Sequence, residues 1–236
     1  MKKVVLFLCI SGLLSLANVA HAALISVNAY SMVNGNTGSY TYHDDDYSGS
    51  GNPLLNGSFL SGGTGKLTDG VIANDLWCNT ESTGVCGTIG SDINGLYVGW
   101  LYTAPTITFS FDPGTRIDRV VIYADDSEFN RATNAVQPGA FGFGGVAAPA
   151  AAEIFELGQT FNLGNVANGG PNRYVIDFNA IMTSALTLRL TGLSPWIFVS
   201  EIQFEDTSLR VDANAPATAG IFAFALAILV WRRKKS

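Results

Sequence analysis

The sequence predicts an all-β protein, an antiparallel β-sandwich or jelly roll, flanked by an N-terminal signal helix and a C-terminal hydrophobic helix. Three observations lead there. The middle of the chain breaks into short β-branched and aromatic runs set among Gly, Asn, Ser and Thr. No stretch of it holds a helical hydrophobic period over a useful length. Turn signals punctuate the runs: FDPGTRID at 111–118, NGGPN at 168–172 and GLSP at 192–195. Many short strands joined by Gly/Pro turns fit a sandwich better than a helix-wrapped sheet.

In chain order, residues 1–22 come first, MKKVVLFLCISGLLSLANVAHA, with two lysines, an apolar run and a small-x-small ending. That is the pattern of a secretory signal peptide cut after Ala22. The body, 23–206, then offers the runs LISVNAY (24–30), GLYVGW (95–100), TITFSF (106–111), RVVIYA (119–124), EIFELG (153–158), RYVIDF (173–178), ALTLRLTG (185–192) and WIFVSEIQFE (196–205) as strands. TITFSF and ALTLRL alternate apolar with polar positions, as half-buried strands do. Two stretches read as long loops: the polar 34–53 and the Gly/Ala-rich 137–152. Long loops on a sandwich are common binding sites. A linker, 207–213, leads to a tail, 214–236, in which the apolar run 217–231 precedes four consecutive cations. A run of 15 residues is short for a membrane span, which needs about 20.

Both ends conceal the charge of the body. Six of the 13 basic residues lie in the two ends, while all 19 acidic residues lie between them, so the middle part carries a net charge of −12. A body this acidic is not expected to hold nucleic acid by phosphate neutralisation. Its two cysteines, Cys78 and Cys86, are expected to form one disulfide in an exported protein, with two free thiols as the alternative. The DDD run at 44–46 lacks the spacing of an EF-hand loop and reads as a solvated loop. Catalysis has little to build on. His43 is the one body histidine, no G-x-S-x-G motif is present, and no Gly-rich phosphate loop sits between a strand and a helix. Asp125, Asp126 and Glu128, just after a strand end, could be read as part of a paired-carboxylate site, but sequence neighbours in a strand point to opposite faces, which counts against it. The protein is therefore expected not to be an enzyme.

Three stretches together resemble the galactose-binding-like, or discoidin (coagulation-factor C-type), jelly roll: GKLTDGVIANDLWCNT (65–80), PTITFSFDPGTRIDRVVIY (105–123) and LTLRLTGLSPWIFVSEIQF (186–204). The resemblance spans about residues 24–206. It implies a structural calcium ion. Its ligands would be the carboxylates of Asp69 and Glu201, main-chain carbonyls of Lys66, Val71 and Ser200, and the carbonyl or hydroxyl of Thr80. Such an oxygen set suits a hard cation that takes 6–8 oxygen ligands.

Binding is the expected activity. Sugar sites pair an aromatic platform with a few planar polar groups. The candidates on expected loops and strand ends are His43, Tyr47, Trp77, Trp100 and Arg131. The tail resembles the PEP-CTERM sorting signal of Gram-negative bacteria, with Asn214, Ala215, Pro216, Ala217 and Thr218 where that signal has its Pro-Glu-Pro motif. The resemblance implies recognition by a membrane-embedded exosortase, transient inner-membrane anchoring through 217–231, and delivery to the cell surface or matrix. Cations after an apolar run agree with this, since they stay cytoplasmic and leave the body outside. The expected function is an exported, surface-sorted module binding carbohydrate or matrix polymer. A structural biofilm-matrix protein without small-sugar binding is the alternative, and a hydrolase of extracellular polymer the next.

Overall fold

The structure, a computed structural model, describes residues 21–35, 42–75, 77, 80, 95–125, 128–129, 145–146, 148–164, 171–192 and 196–211. Residues 1–20 of the expected signal segment, the tail helix, the sorting motif, Cys78, Cys86 and Arg131 lie outside them, while His21 and Ala22, the last two of the expected signal segment, are in strand conformation. Among the described residues no helix is long and apolar enough to cross a membrane. Residues Leu24–Asp206 form one compact unit. A second unit comprises Met1–Ala23 and Thr207–Ser236, of which 21–23 and 207–211 are described, in extended conformation.

The strands are β1 (His21–Ile25), β2 (Ala29–Val33), β3 (Phe59–Gly63), β4 (Val98–Leu101), β5 (Thr106–Ala124), β6 (Glu128–Phe129), β7 (Gly145–Val146), β8 (Pro149–Ile154), β9 (Gln159–Asn162), β10 (Asn172–Gly192) and β11 (Trp196–Val211). Nine of them join in one sheet with the order β1-β11-β5-β10-β8-β9. Strand β2 joins β3 to β5, and β4 pairs with β11. The registers are antiparallel. Strands β6 and β7 make a separate ribbon.

The sheet becomes a sandwich because β5 and β10 change partners along their length. Residues 106–110 of β5 pair with β2 and with 185–189 of β10. Residues 119–124 pair with β11 and, across the same strand, with 172–177 of β10. Between the halves the register slips, and Gly114 takes φ 76°, a left-handed conformation that glycine adopts without steric cost. The FDPGTRID stretch is thus a bend within one long strand, where a turn between two was expected. Phe204 of β11 meets Phe109 and Phe111 edge to face, at 4.8 and 4.9 Å between ring centroids, and so ties the layers through the core.

Period-two patterning places the side chains. In TITFSF, Ile107, Phe109 and Phe111 are buried while Thr106 and Thr108 face water. In β10, Leu186, Leu188 and Leu190 are buried between the outward Thr187, Arg189 and Thr191. Four expectations change. LISVNAY is divided between β1 and β2 by a break at 26–28. EIFELG continues β8 only to Ile154, after which Phe155–Leu157 form a 3-10 turn closed by Gly158 at φ 61°. The 137–152 loop contains most of β8, in which Ala152 packs in the core. Finally, β11 runs on to Val211 through the expected linker.

Candidate functional site

The TDG turn and the closing strand meet. A cleft of about 260 Å³ is lined by Leu24–Val27, by Thr68, Asp69 and Gly70, and by Glu201, Ile202 and Gln203. The turn is locked to β11 by two bonds. Ile202 N donates to Leu67 O at 2.8 Å, and Gly70 N donates to Glu201 Oε2 at 3.2 Å. Asp69 Oδ1 accepts from Val71 N at 2.7 Å, the local Asx geometry that an Asp-Gly turn favours. Burial, reinforced by the charge of Asp69, pushes the Glu201 carboxyl up to about 7 against the bonds from Gly70 and Gln203. Asp69 is raised as well, by partial desolvation and then by Asp46. Thr68 Oγ1 is buried with no hydrogen-bond partner. Two carboxylates, both raised by burial, and an unsatisfied hydroxyl fit a hard cation.

Of the six residues expected to ligate calcium, Asp69 and Glu201 line this cleft; Lys66, Val71, Thr80 and Ser200 do not. Ser200 Oγ accepts from Ala73 N and donates to Tyr123 O. Thr80 Oγ1 donates back to Trp77 O at 3.0 Å. Among the described residues no group of three or more His, Cys, Asp or Glu side chains is placed to hold a metal ion. A cation here would therefore depend on main-chain and hydroxyl oxygens beside the two carboxylates. Thr68 was absent from the sequence reading, and its one signal is its place before Asp69.

Next to the turn lies a buried polar network. Lys66 Nζ pairs with Asp45 and donates to His43 O at 3.0 Å, while Lys66 N donates to Asp44 Oδ1 at 2.8 Å. Tyr30 OH donates to Asp44 Oδ2, and Tyr47 OH donates to Tyr30 O. Asp44 is fully buried, and burial pushes its carboxyl up to about 6. The solvated-loop reading of DDD is thereby corrected: Asp44 and Asp45 are structural, and Asp46 alone is exposed. Two ligand-binding candidates belong here. His43 and Tyr47 are buried, so neither offers a face to a ligand. Trp100, a binding candidate at an expected strand end, is a core residue instead, 0% exposed, its Nε1 donating to Val33 O at 3.1 Å.

Trp77 alone of the described candidates keeps an open side. It is half-buried and belongs to a second cluster built on the start of β11 and on loop residues, with Tyr42, Ala73, Tyr97 and Phe198 buried and Trp196 half-buried. The Trp77 ring lies parallel to Phe198 at 4.9 Å and 5°, and Trp196 parallel to it at 5.2 Å and 8°. Tyr42 stands edge-on to all three. Trp196 and Phe198 share a face because they are two residues apart on a strand. Gly99, register partner of Phe198, leaves room for the stack; a Cβ there would sit 2.5 Å from Phe198 Cε1. Phe198 is thus stacked against two half-buried tryptophans, and the exposed part of a tryptophan ring is the kind of apolar surface that takes the C–H face of a sugar.

No family model matches the sequence, and no curated protein matches it. Solved structures show a partial likeness. A family 32 carbohydrate-binding module of a family 31 glycoside hydrolase, bound to GalNAc, is 18% identical, over 60% of this chain and 85% of that one, with a TM-score of 0.31. The family 32 module of a Clostridium perfringens protein in complex with galactose is 8% identical, over 57% of this chain and 91% of that one, with a TM-score of 0.30. A chain from the Streptococcus pneumoniae β-galactosidase is 10% identical, over 79% of this chain and 99% of that one, with a TM-score of 0.39.

Proposed function

We propose that the chain is a non-catalytic carbohydrate-binding module, exported and sorted to the cell surface, with a structural calcium ion in the Asp69–Glu201 cleft. The observation that carries the binding reading is the aromatic stack. Trp77 and Trp196 are half-buried and aligned on Phe198, so they are held rigidly while keeping an open side. Calcium is supported by the cleft, which Thr68, Asp69 and Glu201 all line, and by Thr68 Oγ1, which is buried without a hydrogen-bond partner. Export, the Cys78–Cys86 disulfide and exosortase processing at 214–218 are read from the sequence alone.

A glycan array probed with residues 23–212, with and without chelator, tests the binding reading. Specific hits that Trp77→Ala weakens support it; no hit on any glycan ends it. For the tail, mature envelopes should yield protein lacking residues 217–236, and intact chain there would overturn processing.

One observation favours a second reading, a matrix protein that packs against copies of itself. Val33, Leu54, Leu55 and Phe59 are all exposed around the 52–58 turn. Hydrogen bonds from Leu54 N to Asn52 Oδ1 and from Asn34 Nδ2 to Pro53 O hold that turn in place. Concentration-dependent sedimentation, abolished by Leu55→Ser, would point to this reading.

A further inference from the structure

The strand that carries the aromatic stack contains an extra residue. In β11, Val199 pairs with Ala124 of β5 and Glu201 with Tyr123, so Ser200 has no register partner on β5 and forms a β-bulge. The packing shows its effect. Ile197 and Val199 before it, and Ile202 and Phe204 after it, all belong to the main core. Strict alternation would turn one of those pairs outward. The bulge keeps both pairs inward and leaves Trp196, Phe198, Glu201 and Gln203 on the other face. The aromatic stack and the Asp69–Glu201 cleft therefore lie along one face of one strand.

One segment follows that face. Residues 67–75 and Trp77 form neither helix nor strand, and they meet β11 in reverse order. Leu67 O accepts from Ile202 N, Gly70 N donates to Glu201 Oε2, Ala73 N donates to Ser200 Oγ at 3.4 Å, and the Trp77 ring stacks on Phe198. Ala73 is 3% exposed and Ser200 1%, so their bond is sheltered from water. Ser200 Oγ in turn donates to Tyr123 O at 3.3 Å, which ties the hydroxyl to β5. Tyr97 OH, donating to Asp75 O at 2.8 Å, adds a hold nearer the ring. Backbone without regular structure places a side chain only as well as its tertiary bonds allow. A tryptophan that had to be ordered on binding would bind more weakly.

We propose that Ser200 is the positioning residue of the carbohydrate site: the bulge aims its hydroxyl at Ala73 N, and that bond holds Trp77 parallel to Phe198 before any ligand arrives. The proposal rests on the carbohydrate-binding reading and deepens it. The test uses the full chain in a non-glycosidic detergent, run through affinity gels containing galactan, mannan or β-glucan. The wild type should be retarded by at least one of these neutral polymers, and Trp77→Ala should not. Ser200→Ala should weaken the retardation about fivefold, the effect of one hydrogen bond, and reduce the near-UV circular dichroism of the stack. Ser110→Ala removes another serine hydroxyl, one that donates to Ala29 O at 3.1 Å in the β2–β5 pair, and should change neither. In a Trp77→Ala background, Ser200→Ala should cause no further spectral change. Hydrogen exchange needs no variant and decides alone should Ser200→Ala fail to fold. The wild-type Ala73 amide should be protected, and more so when a soluble fraction of the retained polymer is added. If Ser200→Ala binds like the wild type while Trp77→Ala does not bind, the inference falls and the carbohydrate reading stands. It falls too if Ser110→Ala weakens binding as much, if the spectral change survives in the Trp77→Ala background, or if the Ala73 amide exchanges at the rate of an unfolded chain. No retardation of the wild type by any polymer overturns both readings together.

Discussion

Glu201 carries the clearest titration. Its carboxyl is raised to about 7 from an ordinary 4.5, burial first and Asp69 adding to it. Between those values the folded protein holds a proton that the unfolded chain has released. Stability therefore falls as pH rises through that window. Asp44, raised to about 6, acts with the same sign, while His43, lowered by burial, acts oppositely below its ordinary 6.5. The informative quantity is thus the difference between wild type and Glu201→Gln. In chelator, Tm of the wild type should drop more than that of Glu201→Gln between pH 5 and pH 7.5. A cation would take the place of the proton, so calcium should raise wild-type Tm at pH 7.5 and barely at pH 5. Calorimetry that finds no calcium effect at either pH removes the ion from the cleft. Lys66→Met is a second prediction at this scale. It leaves Asp45 buried without its ammonium partner and should cost about 3–5 kcal/mol in urea unfolding. This network also shows the limit of reading single residues. Three consecutive aspartates look solvated, and the burial of Asp44 and Asp45 is made possible by Tyr30 and Lys66, from elsewhere in the chain. No local pattern announces such partners.

Strands were legible where alternation was strong. The halves of β5 and β10 stand out because Ile107, Phe109, Leu186 and Leu188 alternate with threonines and an arginine. Strands β3 and β9, FLSGG and QTFN, were missed because glycine and polar residues fill them and neighbours supply their stability. PAAAEI was hidden by its alanines, which fit a crowded layer but carry little strand signal. Register was not legible at all, and it is register that sets Gly99 opposite Phe198. Gly99→Ala should cost about 1–3 kcal/mol, because the added methyl would collide with Phe198 at 2.5 Å and with Tyr42 Cβ at 2.9 Å. Near-UV circular dichroism should change with it, since Tyr42, Trp77 and Trp196 all pack on that ring. A variant with unaltered stability and spectrum would mean that the stack is looser than these distances require.

For the molecule as a whole, the pairing of Asp69 with Glu201, 132 residues apart, came from resemblance to a family pattern and not from any local signal. The aromatic stack was half legible: Trp77 was singled out, but Trp196 and Phe198 needed β11 to be seen lying beside β4. Charge acts at this scale too. The span between the two ends carries −12, while β4 and residues 196–200 of β11, which hold Trp196 and Phe198, contain no charged side chain. An anionic polymer approaching it meets a repulsive field and gains no ion pair, whereas a neutral sugar meets neither effect. Binding through stacking and hydroxyl contacts releases no condensed counterions, so it should be nearly indifferent to salt. Affinity for a retained neutral polymer should accordingly change by less than about twofold between 20 and 500 mM NaCl, against orders of magnitude for a charge-driven site. DNA and heparin should not bind even at 20 mM, where screening is weakest and repulsion strongest. A steep loss of polymer affinity with salt would show that cations hold the ligand, and would move the site away from the Trp77–Trp196 surface altogether.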